Sequence, residues 1–89
     1  MPRYHFNVVS GASLLDRDGI DLPDLRTAQT EAVRFSAQSL SDLAETFWDT
    51  EEWRLNVTDE EGLILFHLHI TGMRAPAFRP ERHGPVLES

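Results

Sequence analysis

The chain has 89 residues, 40% of them hydrophobic and 26% charged, the composition of one ordinary globular domain, which excludes a disordered or fibrous chain. No apolar run approaches the roughly 18 residues that a membrane-spanning helix needs. The start, Met1-Pro2-Arg3-Tyr4, lacks the apolar segment of a secretory signal, so a cytoplasmic protein with no membrane role is expected.

Zero cysteines remove disulfides, thiolate metal sites and a cysteine nucleophile. Fifteen acids stand against eight bases, every base an arginine, for a net charge of −7 with histidine neutral. Nucleic acid is therefore disfavoured as a partner, because its binders neutralise phosphates with a basic face. The acidic balance favours solubility and leaves a basic protein partner open. A domain this small buries only about 60% of the surface that its unfolded chain exposes. With no disulfide and no obvious metal site to help, self-association is the economical remaining source of stability.

The first strand is expected at Arg3–Val9, where Tyr4, Phe6 and Val8 alternate with His5, Asn7 and Val9. Ser10-Gly11-Ala12-Ser13 reads as a turn, and a short second strand follows at about Leu14–Asp16. Asp16-Arg17-Asp18-Gly19 is a second turn, with glycine supplying positive φ. Ile20 and Leu22 continue as an extended edge segment.

A long helix is expected from near Pro23 to about Trp48. Proline suits a first helical turn, Asp24 complements the helix dipole there, and Asp21 is placed to cap. Leu25, Ala28, Ala32, Ser36, Leu40, Leu43 and Phe47 fall in one stripe, with Val33, Phe35 and Ala44 at its edges. The small residues in that stripe suit a close approach to a sheet. Asp49–Glu52 is a loop, and the third strand, Trp53–Thr58, alternates Trp53, Leu55 and Val57 with Arg54, Asn56 and Thr58. Asp59-Glu60-Glu61-Gly62 is a hairpin loop. The fourth strand is Leu63–Ile70, with Ile64, Phe66, Leu68 and Ile70 facing one way and Leu63, Leu65, His67 and His69 the other.

The order strand, strand, helix, strand, strand predicts an α+β fold: ββαββ, a four-stranded, mainly antiparallel sheet with one long helix packed on one face. The expected core is Tyr4, Phe6, Val8, Ile20, Leu22, the helix stripe, Trp53, Leu55, Val57, Ile64, Phe66, Leu68 and Ile70. The domain covers residues 1–71. Residues 72–89 hold Pro76, Pro80 and Pro85 with Gly72 and Gly84, show no hydrophobic period, and read as a flexible tail of net charge +1.

Several residues in this order form a familiar pattern. The opening Met1-Pro2-Arg3-Tyr4-x-Phe6-x-Val8, the run Asp16-x-Asp18-Gly19-Ile20-x-Leu22-x-Asp24, the pair Glu31-Ala32 and the run Val57-x-Asp59-x-x-Gly62 resemble a family of small bacterial proteins known as domain of unknown function 6894. The resemblance covers residues 1 to about 70. Its motifs are turn and core residues, so it implies an architecture and no reaction. The chain departs from the family pattern at His5, where an aromatic is usual, at Asn7, where histidine is common, and at His67 and His69. The resemblance therefore lends nothing to a histidine site.

His67-x-His69 is the sharpest local feature. Residues i and i+2 of a strand share a face, about 6.5–7 Å apart at the backbone, which can supply two ligands to Zn²⁺ or Cu²⁺. His5 joins them if the first and fourth strands are neighbours and it shares the uncovered face. The plainer reading is two half-exposed imidazoles on a sheet face. The acidic turns at Asp16 and Asp59 fail the calcium-loop spacing, because glycine comes at the fourth position. They read as turns in which aspartate accepts backbone N–H groups. Glu51-Glu52 and Glu60-Glu61 are adjacent loop acids without a cleft, and no nucleophile elbow, P-loop or dinucleotide fingerprint occurs. Trp48 and Trp53 close the core where helix meets strand, or dock a basic segment.

These readings give a non-enzymatic protein-interaction or regulatory module, with no catalytic residue and no cofactor. It is expected to self-associate as a dimer through the open sheet face or a sheet edge. The interface candidates are His5, Val9, Leu63, Leu65, His67 and His69, because leucines exposed on a flat sheet tend to find a partner. The alternative is a metal-binding protein using His67, His69 and His5.

Overall fold

The computed structural model describes residues 1–76. The alternation that opens the chain becomes β1, Arg3–Ser10. Gly11, at φ 82°, reverses the chain at once, and β2 is Ala12–Leu14. Val8 lies opposite Leu14 and Val9 opposite Ser13. The second strand thus begins before the expected Leu14, because one glycine in the left-handed region suffices for the reversal. β3, Ile20–Asp21, pairs with the other half of β1, with Tyr4 opposite Ile20. β2 and β3 therefore share one edge of β1, and residues 15–19 arch between them.

The main helix, α1, is Leu25–Asp42. Its cap is Asp24, whose backbone is extended at φ −161° and whose Oδ1 accepts the Thr27 N–H at 2.8 Å. Hydrogen bonds from the Thr27 backbone and side chain hold the Asp24 carboxyl below its ordinary pKa. Asp21, the cap expected from sequence, instead accepts from Arg3 Nε at 3.0 Å.

At its far end α1 stops at Asp42 rather than running to Trp48. The last turn holds no basic residue, and Asp42 and Glu45 crowd the negative end of the dipole. The Leu43 N–H bonds back to Ser39 and Leu40 carbonyls at 3.0 and 3.2 Å. The chain then bends into a single turn, α2, Phe47–Thr50. Glu51, at φ 61°, closes that turn by donating its N–H to the Phe47 carbonyl at 2.8 Å.

β4, Glu52–Thr58, and β5, Ile64–Thr71, complete an antiparallel sheet of order β2-β1-β4-β5. The fold is α+β, as expected: an antiparallel sheet with one long helix. Among the described residues, no helix is long and apolar enough to cross a membrane.

The core follows from this order. β4 is flanked by β1 and β5, and its Trp53, Leu55 and Val57 reach 0% exposure. Ala28 and Ala32 of α1 are also fully buried; their short side chains let the helix descend onto the sheet. Ser36, buried beside them, donates its hydroxyl to the Ala32 carbonyl at 2.7 Å. Phe6, Val8, Leu22, Leu40, Leu43, Phe47, Phe66, Leu68 and Ile70 are half-buried around that centre. Phe35 packs edge-on against Phe6, ring centroids 5.9 Å apart.

Three residues expected in the core lie outside it: Ile20, Leu25 and Ile64 are 47%, 44% and 54% exposed. Ile20 belongs to a two-residue edge strand. Leu25 opens α1 before the helix reaches the sheet. Ile64 is displaced by a β-bulge: Val57 lies opposite Phe66, but the next residue, Thr58, lies opposite Ile64, so Leu65 is the extra residue.

Beyond β5 the chain turns back over α2. The Gly72 N–H donates to the Glu51 carbonyl at 3.0 Å, and the Arg74 guanidinium sits 5.6 Å from the Trp48 ring centroid. A Cβ on Gly72 would stand 2.8 Å from Trp48 Cζ3 and 2.9 Å from Phe47 Cε2. Gly72→Ala should force these rings aside and cost about 1–3 kcal/mol, read as a lowered thermal midpoint; an unchanged midpoint would disprove the close packing. The remainder of the expected tail, 77–89, lies outside the described residues.

Candidate functional site

The sheet face opposite α1 can be read row by row from the strand register. His5 lies opposite Thr58, and Thr58 opposite Ile64. Asn7, Asn56 and His67 form the next row, then Val9, Arg54 and His69, and finally Glu52 with Thr71. The face is mainly polar. Leu63 and Leu65, expected to make it apolar, lie at the start of β5: Leu63 precedes the strand and is 64% exposed, and Leu65 occupies the bulge at 38%. Val9 is half-buried at the β1 end of its row.

His5 is held apart from the other two histidines. Its Nδ1 lies 2.8 Å from the Asp16 carbonyl oxygen, on the outer side of β1, and β4 intervenes before β5. His67 and His69 share one face of β5 and are both exposed. His69 Nε2 is 2.9 Å from Glu52 Oε2 and 3.3 Å from Thr71 Oγ1. Arg54 Nη2 meets the same Glu52 oxygen at 3.2 Å. Among the described residues, no group of three histidines or carboxylates is close enough to hold a metal within one chain.

The Asp16 turn works as a knot on the β1 edge. Asp16 Oδ2 accepts the Phe6 N–H at 3.1 Å, and Oδ1 accepts the Gly19 N–H at 3.1 Å. The Asp16 N–H donates to Asn7 Oδ1 at 2.8 Å. The carboxylate thus bonds the sheet edge where the backbone ladder is interrupted between β2 and β3. Partial burial raises the pKa of this carboxyl, but N–H bonds from Gly19, Phe6 and Asp18, with the nearby His5, outweigh burial and hold it below the ordinary value. Asp59 does similar work in the β4–β5 hairpin, where its Oδ1 accepts the Glu61 and Leu63 N–H groups at 2.8 and 3.0 Å. Oxygens of both acidic turns are thus engaged with backbone.

The paired glutamates are spread over separate ion pairs: Glu51 with Arg74 at 3.2 Å, Glu52 with Arg54 at 3.2 Å, and Glu60 with Arg3 at 3.4 Å. Trp53 is a core residue. Trp48, 46% exposed, stacks edge-on against Phe47 at 5.7 Å and lines a surface groove with Met73, Arg74 and Ala75.

One feature of the surface was not foreseen residue by residue: the outer edge of β5. Among the described residues it ends the sheet, and alternate N–H and C=O groups along it have no strand partner there. Its sequence, Ile64-Leu-Phe-His-Leu-His-Ile-Thr71, holds no Asp, Glu, Lys, Arg or Pro, the residues with which natural edges commonly resist pairing. Phe66, Leu68 and Ile70 face the helix layer but remain half-buried. Their alternation marked them as core; only the strand order reveals that β5 is an edge.

No curated protein and no solved structure matches the chain. The model of the family described as domain of unknown function (DUF6894) matches residues 3–71, the whole sheet and both helices, and the chain belongs to that family.

Proposed function

We propose that the chain is a non-enzymatic interaction module that pairs with a second copy of itself through the edge of β5. The observation that carries this reading is the uncharged, eight-residue edge strand with a half-buried apolar side chain at every second position from Phe66 to Ile70. Antiparallel addition of an identical strand would satisfy the unpaired backbone groups. It would also cover Phe66, Leu68 and Ile70 with the same residues of the second copy. The arrangement is isologous and closes on itself, so it gives a dimer rather than a filament. The net charge of −7 opposes self-association, but β5 contributes none of it. The polar open face offers less apolar area, which favours the edge over the face as the contact.

Sedimentation equilibrium and native mass spectrometry should find a dimer. His67→Glu/His69→Glu, at two exposed positions, would set four carboxylates along the seam and weaken the dimer at least tenfold, since juxtaposed like charges cost on the order of several kcal/mol. Circular dichroism checks that the variant is folded. A parent that stays monomeric at about millimolar concentration, a range that detects even Kd values near 1 mM, would overturn the reading, as would a charged variant that dimerises equally well.

A further inference from the structure

We infer that the β5–β5 seam of the dimer forms a site for a divalent transition metal, of which Zn²⁺ is the simplest case, from His67 and His69 of both copies. This inference rests on the edge pairing proposed above and adds a ligand to it.

Symmetry supplies the first step. Two identical strands that pair edge to edge and antiparallel are related by a two-fold axis normal to the sheet. That axis reverses strand direction and preserves the faces, so both helices lie on one side and both open faces on the other. Directly opposed residues of an antiparallel pair share a face. The histidines of one copy must therefore meet open-face residues of the other, never Phe66, Leu68 or Ile70.

The bulge supplies the second step. Pairing is irregular where Leu65 intrudes between Ile64 and Phe66, and the regular stretch of β5 runs from Phe66 to Thr71; its half-buried apolar residues, Phe66, Leu68 and Ile70, are centred on Leu68. Centring the axis there sets Leu68 against Leu68 of the second copy and Phe66 against Ile70, matching the apolar side chains. It also sets His67 against His69, twice. Opposed Cβ atoms in such pairs are about 4.5–5.5 Å apart, and the two histidines of one strand are about 7 Å apart. Four imidazoles thus border one small rectangle, which suits a tetrahedral nitrogen-ligated ion.

His69 Nε2 is engaged with Glu52 Oε2 at 2.9 Å, leaving Nδ1 as the ring nitrogen available to a metal. A carboxylate on the far nitrogen is the usual support of a ligating histidine, fixing its tautomer and raising its basicity. One chain offers only two imidazoles here, since among the described residues no group of three ligands exists. The site is incomplete without the second copy.

The test uses metal-free full-length chain and ZnCl₂. Native mass spectrometry should show one zinc per dimer, calorimetry a stoichiometry of one zinc per two chains, and sedimentation a dimer tightened at least about tenfold by zinc. His67→Ala/His69→Ala should lose that zinc and that tightening while still pairing through its backbone. If the metal-free parent dimerises but zinc neither binds at this ratio nor tightens the dimer, the metal inference fails and the edge pairing stands. A parent monomeric with and without zinc defeats both. Equal zinc binding by the double-alanine variant would place the metal elsewhere and overturn the inference.

Discussion

Trp53→Ala should bring the domain close to unfolding. The residue is fully buried near the start of β4, between Leu55 and the chain reversal from α2. Truncating a buried tryptophan costs about 3–5 kcal/mol, against a total stability on the order of 5–10 kcal/mol for a domain of this size. The variant should show a urea midpoint reduced by about a third or more on that arithmetic. Trp53→Phe should cost far less. Among the described residues the buried indole Nε1–H has no hydrogen-bond partner, and such an orphan donor carries a penalty of about 1–3 kcal/mol that phenylalanine removes. The smaller ring leaves a partial void, which offsets part of this gain. Equal losses for the alanine and phenylalanine variants would show that the indole N–H is satisfied in solution.

Asp16→Ala should cost about 2 kcal/mol at neutral pH. It strands the Phe6 and Gly19 N–H groups, each of which donates to this carboxylate at 3.1 Å. An orphaned donor costs about 1–3 kcal/mol when fully buried, and partial solvation here reduces the sum. For a domain of this size the loss corresponds to roughly 8–16 °C in the thermal midpoint. The effect is also pH-dependent, with a definite sign. The folded-state carboxyl is held below its ordinary pKa, so its contribution is complete above the ordinary aspartate value. It is lost as the pH falls through the depressed folded value. The gap in urea midpoint between parent and Asp16→Ala should therefore narrow between pH 7 and pH 3. A gap that stays constant over that range would show that Asp16 acts through shape and not through its charge.

Asp16 also shows how far the sequence could be read. Asp-x-Asp-Gly spacing identified a turn in which aspartate accepts backbone N–H groups, and Gly19 is such a donor. Nothing local pointed to Phe6, ten residues earlier in the chain, as the other donor. The helix behaves alike: its stripe of Ala28, Ala32 and Ser36 marked the buried face correctly. Its end was misplaced, since periodicity continues through Leu43 and Phe47 while the acids at the dipole's negative end and the need to return to β4 bend the chain.

The histidines divide in the same way. That His67 and His69 share a face follows from the two-residue period of a strand and needs no tertiary information. Whether His5 joins them depends on which strands are neighbours, and β4 lies between.

Composition and periodicity by themselves determined an α+β domain, its helix face, its two acidic turns and which residues share a face along the regular parts of each strand, because these depend on residues close in sequence. The strand order, the bulge at Leu65, the solitary position of His5 and the exposed edge of β5 were decided only by the tertiary structure. They arise from hydrogen bonding between segments far apart in the chain, and the same alternation of side chains is compatible with either a central or an edge position.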